Sequence, residues 1–234
     1  TSRGPHPKDG DCFSTTALPT LRDAVRDLSW LLTRDYSMKA ALKLVGDRYL
    51  LRDRQRKALH RCAASDQACA RRARRLVAPE SIRGEILSVD GYNVLLTVEA
   101  ALSGGLLLLG RDGALRDLAA MSRHYRRVEV TRHAVELIQH YLDNVGCARV
   151  LWSLDRPVSN SARLKTLIEE VVASADATWT VDLTSQTDKL LKESSYVVAT
   201  ADSAILDTCS RWSNLAREVV ATSVPDAWIL NLST

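Results

Sequence analysis

Between Gly84 and Arg217 this chain alternates short apolar runs with stretches of helical spacing, and three of the apolar runs end in aspartate. Gly84-Glu85-Ile86-Leu87-Ser88-Val89 closes on Asp90, and Ala148-Arg149-Val150-Leu151-Trp152-Ser153-Leu154 closes on Asp155. Ser195-Tyr196-Val197-Val198-Ala199-Thr200-Ala201 closes on Asp202. Strand signals alternating with helical ones are the mark of a mainly parallel sheet with helices on both faces. The expected class is therefore α/β, with strands near 85–90, 148–154, 177–182 and 195–200. Helices are expected near 92–102, 113–124, 131–144, 159–173, 187–193 and 211–220. Periodicity leaves Leu106–Leu109 as either a short strand or a turn of core helix, and Trp228–Leu230 reads as a last short strand.

Parallel strands of an open α/β sheet carry their ligand sites at their C-terminal ends. Asp90, Asp155 and Asp202 would then converge on one edge, joined by Asp188 at the start of a helix opened by Thr187. Clustered carboxylates repel one another unless a cation neutralises them, and hard oxygen ligands suit Mg²⁺ or Mn²⁺. Plainer roles are open to each acid. Asp90, Asp188 and Asp202 can cap the helices that follow them, and Asp155 can serve a turn before Arg156-Pro157.

The run Asp90-Gly91-Tyr92-Asn93, with Asp155, Asp188 and the Val-Ala-Thr-Ala-Asp run ending at Asp202, resembles the PIN-like nucleases, in particular their NYN branch. The resemblance spans roughly residues 84–222. It extends to a family of uncharacterised prokaryotic proteins that place a small helical module before such a domain. It implies metal-dependent hydrolysis of RNA phosphodiesters, with Asp90, Asp155, Asp188 and Asp202 holding one or two Mg²⁺ or Mn²⁺ ions. Asn93 would bond a ligating carboxylate or a phosphate oxygen, or else be an ordinary first-turn helix residue. PIN-like nucleases usually carry a further acid between the first two strand-end acids. Asp112 and Asp117 are the candidates, although Asp112-Gly113 also reads as a turn and Arg116/Asp117 as a surface pair. The alternative reading is a catalytically silent PIN-like domain that binds RNA or acts as a scaffold. A small-molecule phosphohydrolase would want an acid-x-acid motif at a strand end, which is missing here.

Phosphate contacts are expected where hydroxyls, a carboxamide and free N–H groups open the helix after Asp155, at Ser159, Asn160 and Ser161, helped by Arg163 and Lys165. Arg111 or Arg116 can also reach a phosphate. The formal net charge is only +4, but Arg52, Arg54, Arg56, Lys57, Arg61, Arg71, Arg72, Arg74 and Arg75 crowd one stretch. A polyanionic partner, RNA, fits this distribution, with Arg71, Arg72, Arg74 and Arg75 as the candidate contacts; a solvated helix face is the plainer account. His124, His133 and His140 show neither a metal-ligand spacing nor a catalytic-triad order.

Ahead of the sheet, residues 18–78 read as a basic helical module. Leu21, Ala24, Val25, Leu28, Leu31 and Leu32 repeat at helical spacing, and further helices begin after Ser37, after Asp53 and near Asp66. Some 60 residues are too few for confident independence, so the module should lean on the domain at 84–234. Residues 1–17 lack periodicity and are expected to be flexible or loosely packed. The five cysteines include no Cys-x-x-Cys pair, so zinc-finger and redox-motif readings are weak. A bridge between Cys62 and Cys69 is conceivable, but free thiols suit a reducing cytosol better. No run is long enough to cross a bilayer, and residues 1–20 show no hydrophobic leader. A cytoplasmic protein without a membrane partner is the expectation, with a homodimer left open.

Overall fold

The computed structural model describes residues 4–118, 128–156, 160–173 and 178–233. The helical module forms where apolar side chains recur every three or four positions. Helix α1 (Asp9–Cys12) is followed by α2 (Leu18–Thr33), α3 (Met38–Arg48), α4 (Asp53–Cys62) and α5 (Asp66–Arg75). Ser37 and Ser65 start α3 and α5 by accepting from the backbone N–H of Ala40 and Ala68, each satisfying one otherwise orphaned donor. The chain before α2 is better packed than its lack of periodicity suggested. Cys12 and Phe13 are buried, and the fully buried Asp9 pairs with Arg54 at 2.5 Å. A segment this short is held by one ion pair and two apolar anchors, which leave no period to read.

From Pro79 the order is β1 (Ile86–Asp90), α6 (Gly91–Leu102), β2 (Leu107–Leu109), β3 (Leu115–Asp117), α7 (Val128–Val145) and β4 (Arg149–Asp155). There follow α8 (Ser161–Val172), β5 (Trp179–Thr184), α9 (Thr187–Lys192), β6 (Val197–Ala199), α10 (Ser203–Leu206), β7 (Trp212–Ser213), α11 (Leu215–Ser223) and β8 (Ile229–Asn231). The main sheet is parallel throughout, in the order β5-β4-β1-β6-β7. Side chains alternate between its faces. Leu87, Val89, Val197 and Ala199 join Leu95, Ile138, Ile168 and Val219 of α6, α7, α8 and α11. Val198 points the other way, into a smaller core with Leu191, Ile205 and Trp212.

Two expected elements differ. The helix near 113–124 is absent at its start. Leu115–Asp117 is a strand, antiparallel to β2 across a turn in which Gly113 takes a positive φ of 77°. An Asp-Gly pair between apolar runs is a hairpin signal that outweighs the weak helical spacing; residues 119–124 lie outside the described residues. The helix near 211–220 starts later, at Leu215, because Trp212-Ser213 pairs with β6 as the edge strand β7. Both Leu107–Leu109 and the chain near Trp228 do form strands. With β3 they make a second sheet, β3-β2-β8.

That small sheet is what the helical module leans on. Leu108, Leu118, Leu230 and Leu232 share a core with Leu21, Leu28, Leu59 and Cys62. The stretch Pro79–Ile82 is a 3₁₀ turn, and its Ile82 is buried in the main core.

Candidate active site at the sheet edge

Along the chain the main sheet grows from β1 through β4 to β5, then restarts on the other side of β1 with β6 and β7. The order reverses between β1 and β6, where diverging connections open a crevice at the C-terminal strand ends. Asp90 ends β1 at this crevice. Gly91 follows because α6 leaves the strand tightly against β4: a Cβ there would overlap Trp152 Nε1 and lie 2.6 Å from the Ser153 carbonyl oxygen. Two residues on, the Asn93 side chain returns to the crevice.

The opposite wall is the Thr200-Ala201-Asp202 segment after β6. The Thr200 hydroxyl donates to Asp90 Oδ2 at 2.7 Å and accepts from the Asp202 N–H at 3.0 Å. The Ala201 N–H donates to Asn93 Oδ1 at 2.8 Å. Asp202 is exposed, and its Oδ1 caps α10 through Ala204 N at 2.7 Å and Ile205 N at 3.3 Å. The plain capping role is thus real for Asp202, and the capping bonds use Oδ1. Burial is the main force on Asp90 and pushes its carboxyl up to about 7; the Thr200 and Asn93 hydrogen bonds oppose this, while the charges of Asp202 and Asp155 add to it. A buried carboxylate beside like charges at the C-terminal edge of a parallel sheet makes Asp90 a candidate functional residue.

Asp155 ends β4 on the other side of Asp90. The Ser161 hydroxyl donates to the Asp155 carbonyl at 2.7 Å and meets Tyr92 Oη at 2.8 Å. Tyr92 thereby ties the first turn of α6 to the β4–α8 connection. Ser161 is buried in this role, so it is structural and not the phosphate contact expected of it. Ser159 lies outside the described residues. Asn160 is exposed at the start of α8 in a left-handed conformation, with φ 70°. Lys165 is turned to the Val181 carbonyl and to Glu169 at 2.8 Å.

Asp188 is not drawn into the group. Its exposed carboxylate sits in the first turn of α9, 3.8 Å from Lys192 Nζ. An acid in a first helical turn is already favoured there by the helix dipole. Asp112 is likewise excluded as a ligand: it is buried, 2.6 Å from both Arg72 and Arg116. Burial pushes its carboxyl up, but the hydrogen bonds and charge of the two guanidinium groups prevail and hold it below the usual range. Asp117 is better placed. It lines a cavity of about 390 Å³ with Asn93, Asp202, His60 and Arg61.

The arginine cluster is a second correction. Arg72 is buried and grips Asp207 through two bonds of 2.9 and 2.7 Å. Arg71 joins Asp207 Oδ1 at 2.7 Å, and Arg75 donates to the Asp207 carbonyl at 3.0 Å; only Arg74 is left exposed to solvent. Arg116 is buried too, fixed by both Asp112 oxygens, and its Nε donates to the Ala201 carbonyl at 2.8 Å. Arg111 pairs with Asp66 at 2.6 Å. These cations hold the module against the segment that carries Asp202 and are spent on doing so. Asp207 and Thr200 were not singled out as site residues. A Thr two positions before a strand-end acid was the available sign for Thr200, while nothing local marks Asp207.

Among the described residues no three His, Cys, Asp or Glu side chains are placed to hold one ion. Mg²⁺ does not require them, since it keeps several waters and is commonly held by one or two carboxylates plus substrate phosphates. Asp90 and Asp202, with Asp155 nearby, fit that pattern; Asp112 and Asp188 do not. All five cysteines are free, so Cys62 and Cys69 are not bridged. No helix among the described residues is long and apolar enough to cross a membrane.

A family model described as "Domain of unknown function (DUF5616)" matches residues 79–218, and one described as "Protein of unknown function (DUF434)" matches residues 20–75. The boundary between them falls where α5 ends and the 3₁₀ turn begins. The chain is similar to "Uncharacterized protein MJ0935" of Methanocaldococcus jannaschii, at 29% identity over 187 residues that cover 80% of this chain and 89% of that protein. No solved structure matches.

Proposed function

The chain belongs to the family described as "Domain of unknown function (DUF5616)", and we propose that its sheet edge hydrolyses RNA phosphodiester bonds with Mg²⁺ or Mn²⁺. The observation that carries this reading is the Asp90–Thr200–Asp202 unit, which sets two carboxylates at the point where the sheet order reverses. The PIN-like resemblance of Asp90-Gly91-Tyr92-Asn93 points to the same edge.

Asp90 and Asp202 would hold the ion, with Asp155 on the far side of Asp90. When bound, such an ion polarises the phosphoryl group and makes water nucleophilic at neutral pH. Thr200 orients Asp90, and Asn93 fixes the Ala201 peptide that carries Asp202 into place. Asp90 must give up its proton to take the ion, and the raised carboxyl makes this a neutral-pH event.

One observation favours a second reading, RNA binding without cleavage: Asp188 stands apart, and two or three acids remain where the resemblance asks for four. An assay separates the two. Labelled single-stranded RNA should be cleaved by the purified protein with Mg²⁺ or Mn²⁺, not with EDTA, and Asp90→Asn should abolish the cleavage while leaving the fold intact. Bound but uncut RNA in either metal would favour the silent reading.

A further inference from the structure

With Arg71, Arg72 and Arg75 committed to Asp207, α5 keeps only Arg74 as an exposed cation, and a further group of cations lies one helix earlier, on α4. The 390 Å³ cavity beside Asn93 and Asp202 is lined on its module side by His60 and Arg61. The same two residues line a second cavity of about 430 Å³, with Lys57, Leu42 and Leu118. The two cavities thus share His60 and Arg61 as lining, and taken as continuous past these side chains they make a groove from the exposed face of α4 to the carboxylate edge.

Charge along this groove is unevenly spent. Arg54 and Arg56 also line it, but they pair with Asp9 at 2.5 Å and Asp47 at 2.8 Å. Lys57 forms no ion pair among the described residues and is exposed, as is His60. Arg61 pairs more loosely, at 3.7 Å, with Asp117, itself a lining residue of the inner cavity. Asp90, Asp155 and Asp202 repel a phosphate chain, so a strand that reaches them gains from cations placed just outside. Half-buried Leu42 adds apolar lining to the outer cavity.

We infer that this groove is the path of the RNA, that it takes a single strand, and that Lys57, His60 and Arg61 are its phosphate contacts. This rests on the reading of the sheet edge as an RNA site. Each cavity has the volume of a small-ligand pocket, which suits nucleotides entering one by one and not a helix of paired strands. It also gives the helical module a second role: α5 braces the Asp202 segment, and α4 feeds it.

The test is fluorescence anisotropy with a labelled single-stranded RNA in EDTA, over a range of salt concentrations. Lys57→Ala with His60→Ala and Arg61→Gln should weaken binding on the order of tenfold or more and flatten the salt dependence by about 0.7 for each cation removed. Arg132→Gln with Arg149→Gln, the same Lys/Arg charge removed elsewhere, should bind as the parent does, and duplex RNA should compete poorly. If the triple variant melts early, Lys57→Glu alone, at an exposed position, should still weaken binding. Equal affinities and salt slopes for parent and α4 variants would overturn the groove, as would equal loss in the control, tight binding of duplex, or no binding by the parent. The cleavage claim fails separately. α4-dependent binding without cleavage in any metal leaves the groove standing, whereas Asp90-dependent cleavage with unchanged KM in the triple variant removes the groove alone.

Discussion

The Thr200 hydroxyl donates a 2.7 Å hydrogen bond to Asp90 Oδ2, joining the ends of β6 and β1 across the crevice where the sheet order reverses. The bond stabilises the charged carboxylate, against the burial that pushes its pKa up. Thr200→Val keeps the shape and removes the hydroxyl, which also strands the Asp202 N–H. Stability should fall by about 1–3 kcal/mol. The pH at which Asp90 gives up its proton should rise, read by NMR of its carboxyl carbon. An unchanged titration would mean that this hydrogen bond does not set the charge of Asp90.

Much of this arrangement was legible beforehand. The strands ending at Asp90 and Asp155, and β6 three residues short of Asp202, were visible because buried parallel strands are continuous apolar runs, and the module helices because their spacing repeats. What stayed hidden was pairing between distant residues. The role of Arg72 depends on Asp207, 135 positions away, and on Asp112, 40 positions away; no local pattern separates such an arginine from a solvated one. Asp188 is exposed beside Lys192, which its position could not foretell, because a helix-start acid looks alike whether it faces a metal or solvent. The hairpin at Asp112-Gly113 was obscured in the sequence by weak helical spacing in the residues after it.

Asp90 also sets a pH dependence in the metal-free protein. Its folded carboxyl, at about 7, lies above the ordinary value of 3.8. A raised acid favours the folded state while protonated, so its contribution is complete below about 3.8 and is lost as pH rises through about 7. The melting temperature of the parent in EDTA should therefore fall across that window more than that of Asp90→Asn. Parallel curves for the two proteins would contradict the shift.

Asp112 should behave in the opposite sense. Burial raises its carboxyl, but Arg116 and Arg72 hold it below 3.8, so its contribution is present above that value and lost as pH falls through the lowered one. Asp112→Asn leaves two buried guanidinium groups facing each other, a loss of about 3–5 kcal/mol. Urea unfolding at neutral pH measures it. The same change should lower Mn²⁺ affinity, because Arg116 fixes the Ala201 carbonyl next to Asp202. Destabilisation with unaltered metal affinity would confine the network to holding the module in place.

The claim on which the rest stands is that Asp90 and Asp202 together hold a divalent cation. Titration with Mn²⁺, followed by the electron paramagnetic resonance signal of the free ion, tests it without reference to any substrate. At pH 8 the parent should take up Mn²⁺ at this edge with affinity that weakens as pH falls below about 7, while Asp90→Asn and Asp202→Asn should each lose that uptake with their folds intact. Equal Mn²⁺ binding by the parent and both variants, or none by the parent at any pH, would contradict the account.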